Sequence, residues 1–170
     1  MEYKPSGLKA GDFIRTWIKH LARCAIESNS PVPSCQQATL LGFNSKEQKV
    51  EHYQYQPVPR EQARDHLQVL VDIYMQALNE PVPFFPQAAW AWHKVWAGAP
   101  QDDDIIEKAM DKAGKAFKST DFSRVPGEGE EACVARIFPD LVAVQKPFME
   151  LSKAVFGPLS DALVRVEEEV

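Results

Sequence analysis

The residues with the clearest chemical pairing stand at the start of the chain, where Glu2-Tyr3-Lys4 sets a carboxylate and an ammonium two positions apart. On a strand that spacing puts both side chains on one face. A carboxylate held this way can bind a divalent cation, and the neighbouring lysine can orient or activate a water. Three residues are a weak signal alone. A complete site of this type needs another acidic ligand from a preceding strand, and a remnant or coincidental Glu2 and Lys4 is the simpler account of the spacing.

Other residue types suggest binding rather than bond breaking. Arg15, Lys19 and Arg23 recur at four-residue spacing and form a basic stripe. Such a stripe is the ordinary solvated side of a helix, and it is also what a surface tracking phosphates or an acidic partner requires. Phe84, Phe85, Trp90, Trp92 and Trp96 supply more apolar area than a free loop leaves in water, which makes them core anchors; an exposed nucleotide-stacking platform is the alternative. His20, His52, His66 and His93 are scattered, with no i, i+4 pair and no nearby cysteine pair, so no metal site is indicated. Asp102 to Asp104 point in different directions on a helix and suit its N-terminus better than a cation. Gly127 and Gly129 lack the lysine and the strand-helix setting of a phosphate loop, and no Ser/His/Asp set emerges from spacing.

The elements that position these residues follow from period and punctuation. Met1 to Pro5 reads as the end of a strand. Asp12 caps a helix whose apolar face is Phe13, Trp17, Leu21 and Ala25, with the basic stripe opposite. Ser28 to Ser34 is a polar turn. Gln37 to Phe43 and Lys49 to Gln56 form a β-hairpin through N-S-K-E, and the second strand, with neither face strongly apolar, is expected at a sheet edge. Ala63, Leu67, Leu70, Val71, Tyr74, Ala77 and Leu78 define an amphipathic helix from about Arg60 to Asn79. Pro81, Pro83 and Pro86 then keep residues 80 to 86 extended. A helix runs from Q-D-D-D to about Lys118, residues 119 to 129 form a loop, and Glu130 to Phe138 form a short helix. The last helical region is expected to break or kink at Pro147 and Gly157-Pro158. The tail E-E-E-V is expected to fray.

At 170 residues with 45% apolar content, the chain can bury a sizeable core, and residues 1–170 read as a single α+β, helix-rich domain with a β-hairpin and four to five helices. The net charge of -5 and pI near 5.4 argue against wrapping nucleic acid by bulk charge. Cys24, Cys35 and Cys133 are odd in number and lack C-x-x-C spacing, which indicates neither a disulfide framework nor zinc and fits a reducing cytosol. No apolar run reaches membrane-spanning length.

The stretch Y-x-x-A-L-N-E-P-V-P-F-F-P-Q-A-A-W-A-W, from Tyr74 to Trp92, resembles the C-terminal part of the RecC family, the gamma subunits of exodeoxyribonuclease V, the RecBCD helicase-nuclease. Three further stretches resemble it in the same order: Tyr3-Lys4-Pro5-Ser6 with Leu8-Lys9 and W-I-K-H-L-A-R-C-A, then G-E-G-E-E from Gly127, then F-G-P-L from Phe156. The resemblance implies the C-terminal portion of a degenerate PD-(D/E)XK, or restriction-endonuclease-like, domain that has lost its catalytic set, cut from a much longer subunit. Glu2 and Lys4 then correspond to the second half of that nuclease signature, and the other acidic ligand would lie on a strand upstream of Met1. Related nucleases carry Gln and Tyr four apart on the following helix; here Gln68 and Tyr74 are six apart, a departure that weakens an enzymatic reading. The family implies double-strand break repair in the cytoplasm, with RecB, RecD and DNA as partners and with ATP and magnesium used by other subunits, not by this segment. It implies docking of partner subunits and support of strand passage, with a metal-dependent nuclease fragment using Glu2 and Lys4, or a single-stranded DNA-binding module, as alternatives.

Overall fold

The computed structural model describes residues 1–26, 37–45, 47–99, 103–119 and 126–166. Their packing divides into two compact units, Met1–Tyr74 with Pro158–Val170, and Met75–Gly157. The architecture is α+β and helix-rich, with six α-helices and one four-stranded mixed sheet among the described residues. The expected turn at Ser28 to Ser34, Cys35, Asp102 and the E-E-E-V tail lie outside those residues.

The first unit is built on a sheet of strands β1 (Glu2–Lys4), β2 (Ala38–Asn44), β3 (Lys49–Tyr55) and β4 (Leu163–Arg165), in the order β1-β2-β3-β4. Strand β1 runs parallel to β2, whereas the β2–β3 hairpin and the β3–β4 pair are antiparallel. Strand β3 therefore lies inside the sheet, which corrects the expected edge position. Its second edge is taken by β4, a run of three residues too short to show a period. Backbone bonds from Gln56 N–H to Ala162 O (2.8 Å) and from Val166 N–H to His52 O (2.9 Å) hold that closing segment.

Helix α1 (Ala10–Ala25) packs its strongly apolar stripe of Phe13, Trp17, Leu21 and Cys24 into the core of this unit. Trp17 and His20 lie against the buried Tyr55 ring, at 5.5 Å and 5.8 Å between centroids, and the Tyr55 hydroxyl donates to Phe13 O at 2.9 Å. Leu40, Ala63 and Leu159 complete the core. Helix α1 begins three residues earlier than expected. Lys9 occupies the cap position in extended conformation, and Asp12, inside the first turn, reaches back to accept its N–H at 2.8 Å. Helix α2 (Arg60–Asn79) has the expected bounds, but only Ala63 of its apolar stripe is buried.

The second unit contains α3 (Pro86–Trp96), α4 (Asp103–Phe117), the short α5 (Ala132–Ile137) and α6 (Gln145–Ala162) as far as Gly157. Sequence reading missed α3: Pro86 takes its first position, where the absent N–H costs nothing, and alanines and tryptophans continue it. Phe85 is the hub of this core, with Phe117 at 4.7 Å, Phe138 at 5.5 Å and Phe148 at 6.4 Å. Helix α6 runs on through Pro158, so the expected break at Gly157-Pro158 does not occur; Pro147 falls in its first turn, where a proline is tolerated.

The G-E-G-E-E turn pins this unit together. The Glu128 carboxylate accepts N–H bonds from Gln87 (3.0 and 2.9 Å) and Ala88 (3.0 Å), capping the N-terminus of α3 from about forty residues away. Glu130 accepts from the N–H of Ser119 and of Gly127, at 3.0 and 2.8 Å, and from the Ser119 hydroxyl. Burial pushes the Glu128 carboxyl up, partly offset by the Gln87 and Ala88 N–H groups. A Cβ on Gly129 would collide with the Phe117 ring, and one on Gly127 with the Phe117 carbonyl.

Two substitutions test this arrangement. Glu128→Ala leaves two helix-end donors unpaired in a partly buried place and should cost about 2 kcal/mol in denaturant melts. Gly129→Ala should cost about 1–3 kcal/mol through overpacking against Phe117. Unchanged midpoints for both would mean that the turn does not brace the unit.

Candidate functional site

Strand β1 puts Glu2 and Lys4 on the same face, toward α1, as the two-residue spacing requires. Residues of α1 spaced along one side of the helix meet them there. Lys4 Nζ donates to Asp12 Oδ2 at 2.5 Å. Lys19 Nζ is bonded to Glu2 Oε1, and the Thr16 hydroxyl donates to Glu2 Oε2 at 2.8 Å. Thr16 also bonds the carbonyl of Asp12 at 2.9 Å. Asp12, Thr16 and Lys19 follow i, i+4, i+7 spacing, so one side of α1 presents an acceptor, a hydroxyl and a cation to β1 in sequence.

The electrostatics match the geometry. The Lys19 hydrogen bond is the main cause holding the Glu2 carboxyl below its usual value; burial opposes it, while Thr16, the Lys19 charge and Arg15 add to it. Burial pushes Asp12 up, but the hydrogen bonds from Lys4 and the Lys9 N–H, with the charges of Lys4 and Arg15, together bring it below its usual value. Both carboxylates are thus ionised and already matched by ammonium groups. At Glu2 the positive charge that a divalent cation would supply comes from Lys19, and both carboxylate oxygens have protein partners. Lys4, the residue that would serve a water, is bound to Asp12. Among the described residues, no group of three or more His, Cys, Asp or Glu side chains is arranged to hold a metal ion.

The basic stripe and the E-x-K pair, independent features in the sequence, therefore meet in one cluster. Lys19 belongs to it through a direct bond, and Arg15 through its charge on both carboxylates. Arg23 is exposed one turn further on, where its charge helps to lower the His20 pKa, after the larger effect of burial. His20 is buried and bonds the Gln56 carbonyl through Nε2 at 2.9 Å, and His93 is buried in the other unit; the four histidines are not brought together. Cys24 takes part in a disulfide and Cys133 is free and exposed, a difference that the odd cysteine count did not signal.

Of the aromatic residues, Phe85 and Trp92 are buried, while Phe84, Trp90 and Trp96 are half-buried. Trp92 and Trp96 stack at 5.3 Å. Lys153 Nζ stands 4.7 Å from the Trp96 ring centre, and Lys94 Nζ 5.7 Å from that of Trp90. Sequence reasoning missed Asp12 and Thr16 as members of the β1 cluster. Their spacing with Lys19 was the available signal, and it becomes legible only once β1 is known to lie beside α1.

The pH dependence of stability follows from the two lowered carboxyls. Their contribution is complete above the usual carboxylate values and is lost as pH falls through the lowered ones. Thermal melts should therefore show wild type losing stability more steeply than Glu2→Gln/Asp12→Asn below about pH 4. Parallel acid limbs would show that the two pairs do not contribute.

Comparison with known proteins bears on this cluster. Residues 1–95, which contain all of it, match the family of the RecC C-terminal domain. RecBCD enzyme subunit RecC of Escherichia coli (strain K12) is 24% identical over 165 residues, covering 94% of this chain. The chain spans 14% of that protein's length.

Proposed function

The chain belongs to the RecC C-terminal domain family, and on that premise we propose that it is a non-catalytic module of a RecC subunit, acting in double-strand break repair within a RecBCD-type complex. Its role there is to dock RecD or RecB and to support the passage of DNA strands, in the cytoplasm, on a degenerate nuclease-like scaffold. The observation that carries the non-catalytic part is the neutralisation of Glu2 by Lys19 and of Lys4 by Asp12. A carboxylate whose oxygens already serve an ammonium and a hydroxyl is a poor metal ligand, and a lysine held in an ion pair is poorly placed to activate water. The pair has the spacing of a nuclease signature and works as a clamp between a strand and a helix. The docking part follows from family membership in a subunit of a multi-chain enzyme.

A second reading, single-strand binding, has one observation in its favour: the half-buried Trp90 and Trp96 lie beside Lys94 and Lys153, the combination of ring and cation that stacks bases and attracts phosphates.

Purified protein incubated with linear duplex or single-stranded DNA and magnesium should give no cleavage above that of Lys4→Ala. Cleavage abolished by Lys4→Ala would restore the nuclease reading. In the same preparation, retention of tagged RecD or RecB with no salt-sensitive quenching of tryptophan fluorescence by oligonucleotide supports docking; quenching without subunit retention moves the function to strand guidance.

A further inference from the structure

The outer face of α1 carries charge that the fold does not use. Residues 1–46 hold six lysines and arginines against three acidic residues, an excess of positive charge within a chain of net charge -5. On α1 that excess is ordered. Arg15, Lys19 and Arg23 are exposed and follow i, i+4, i+8 spacing, a line about 12 Å long at the usual helical rise. Asp12 is the one acidic side chain of the helix, and it is bound to Lys4.

The three cations are not equivalent. Lys19 already serves Glu2, whereas Arg15 adds its charge to the Glu2 and Asp12 carboxylates without bonding either. Among the described residues, neither Arg15 nor Arg23 has an ion-pair or side-chain hydrogen-bond partner. Two free guanidinium groups thus stand at the ends of the line, with an ammonium between them. The nearby carboxylates do not reverse the sign of this face, because Lys19 and Lys4 match them.

A guanidinium without a carboxylate suits a phosphate, which it can hold through two parallel N–H bonds. Like charges set along a straight helix suit a ligand whose charges also repeat along a line, and a nucleic-acid strand carries one anion at every nucleotide. A protein partner would need an apolar centre instead. The exposed apolar side chains here, Ile18 on the helix and Ile26 just beyond it, are eight residues apart with Ala22 between them and form no contiguous patch.

We propose that the Arg15, Lys19 and Arg23 face of α1 tracks the phosphate backbone of a DNA strand. The inference rests on the strand-supporting role proposed above and assigns it to one face.

The test is fluorescence anisotropy with the 170-residue chain, using a labelled single strand of about 20 nucleotides and its duplex, at salt from about 50 to about 200 mM. Three proteins are compared: wild type, Arg15→Gln/Arg23→Gln, and Lys108→Gln/Lys112→Gln, which removes the same charge from exposed positions of α4. Lys19 is kept because it holds Glu2. The arginine variant should bind at least one DNA form about tenfold more weakly at about 100 mM salt, and its slope of log affinity against log salt should be shallower by about 1.5–2. The loss should be alike for two unrelated base sequences, and the α4 variant should bind as wild type does. Because all four substituted side chains are exposed, circular dichroism and melting midpoints should stay close to wild type, which separates lost binding from lost folding. Wild-type binding that the arginine variant retains, or that the α4 variant loses equally, would overturn this assignment while leaving strand support intact. A wild type that binds neither DNA form at about 50 mM salt would overturn strand support itself. Retention of tagged RecD or RecB that the arginine variant loses, with DNA binding unchanged, would give the face to an acidic protein surface and equally overturn the proposal.

Discussion

Two ion pairs between a three-residue strand and the helix beside it hold the key to the first unit. Strand β1 is too short to be secured by its ladder to β2 alone, and among the described residues its other edge has no strand beside it. The bonds of Glu2 with Lys19 and Thr16, and of Lys4 with Asp12, tie it to α1 from its inner face. Each exposed pair is weak by the usual measure, but these share Arg15 as a common neighbour and the Asp12 carboxylate also secures the first turn of α1. The same residues that could have formed a metal site are therefore occupied in positioning the strand.

The second unit depends on a different device. Its core is aromatic, centred on Phe85, and rings pack well only when the helices carrying them are fixed in place. Glu128 and Glu130 do this from a turn containing two glycines, one glutamate bonding the start of α3 and the other the segment after α4. Close approach of Gly129 to the Phe117 ring brings the turn near enough for both carboxylates to reach. The G-E-G-E-E motif thus has a mechanical reason to accompany the aromatic stretch, although the two are far apart in sequence.

Legibility in the sequence followed the range of the interactions. Long periodic helices such as α2 were readable to their ends, because period depends only on local spacing. The hairpin was readable from its turn. Strand β4 and helix α3 were not: the first is three residues long, and the second starts at Pro86 after two other prolines that favour extended chain. The interior position of β3 was illegible because its covering neighbour comes from the other end of the chain. The fate of the α2 stripe was illegible for a related reason. Periodicity says that a face is apolar, but only tertiary structure says whether anything covers it, and here Val71, Tyr74 and Leu78 remain in water. In the candidate site, Glu2, Lys4, Arg15 and Lys19 were all singled out, yet their union needed the parallel placement of β1 that no local pattern encodes.

The most direct measurement is a pair of double-mutant cycles read by denaturant unfolding, one with Glu2→Gln and Lys19→Met, the other with Lys4→Met and Asp12→Asn. If the charges of β1 are spent on α1, each cycle should give a favourable coupling of about 0.5–1 kcal/mol. Couplings of zero in both would show that Glu2 and Lys4 are free of α1, and the account of the two residues as a clamp between β1 and α1 would fail.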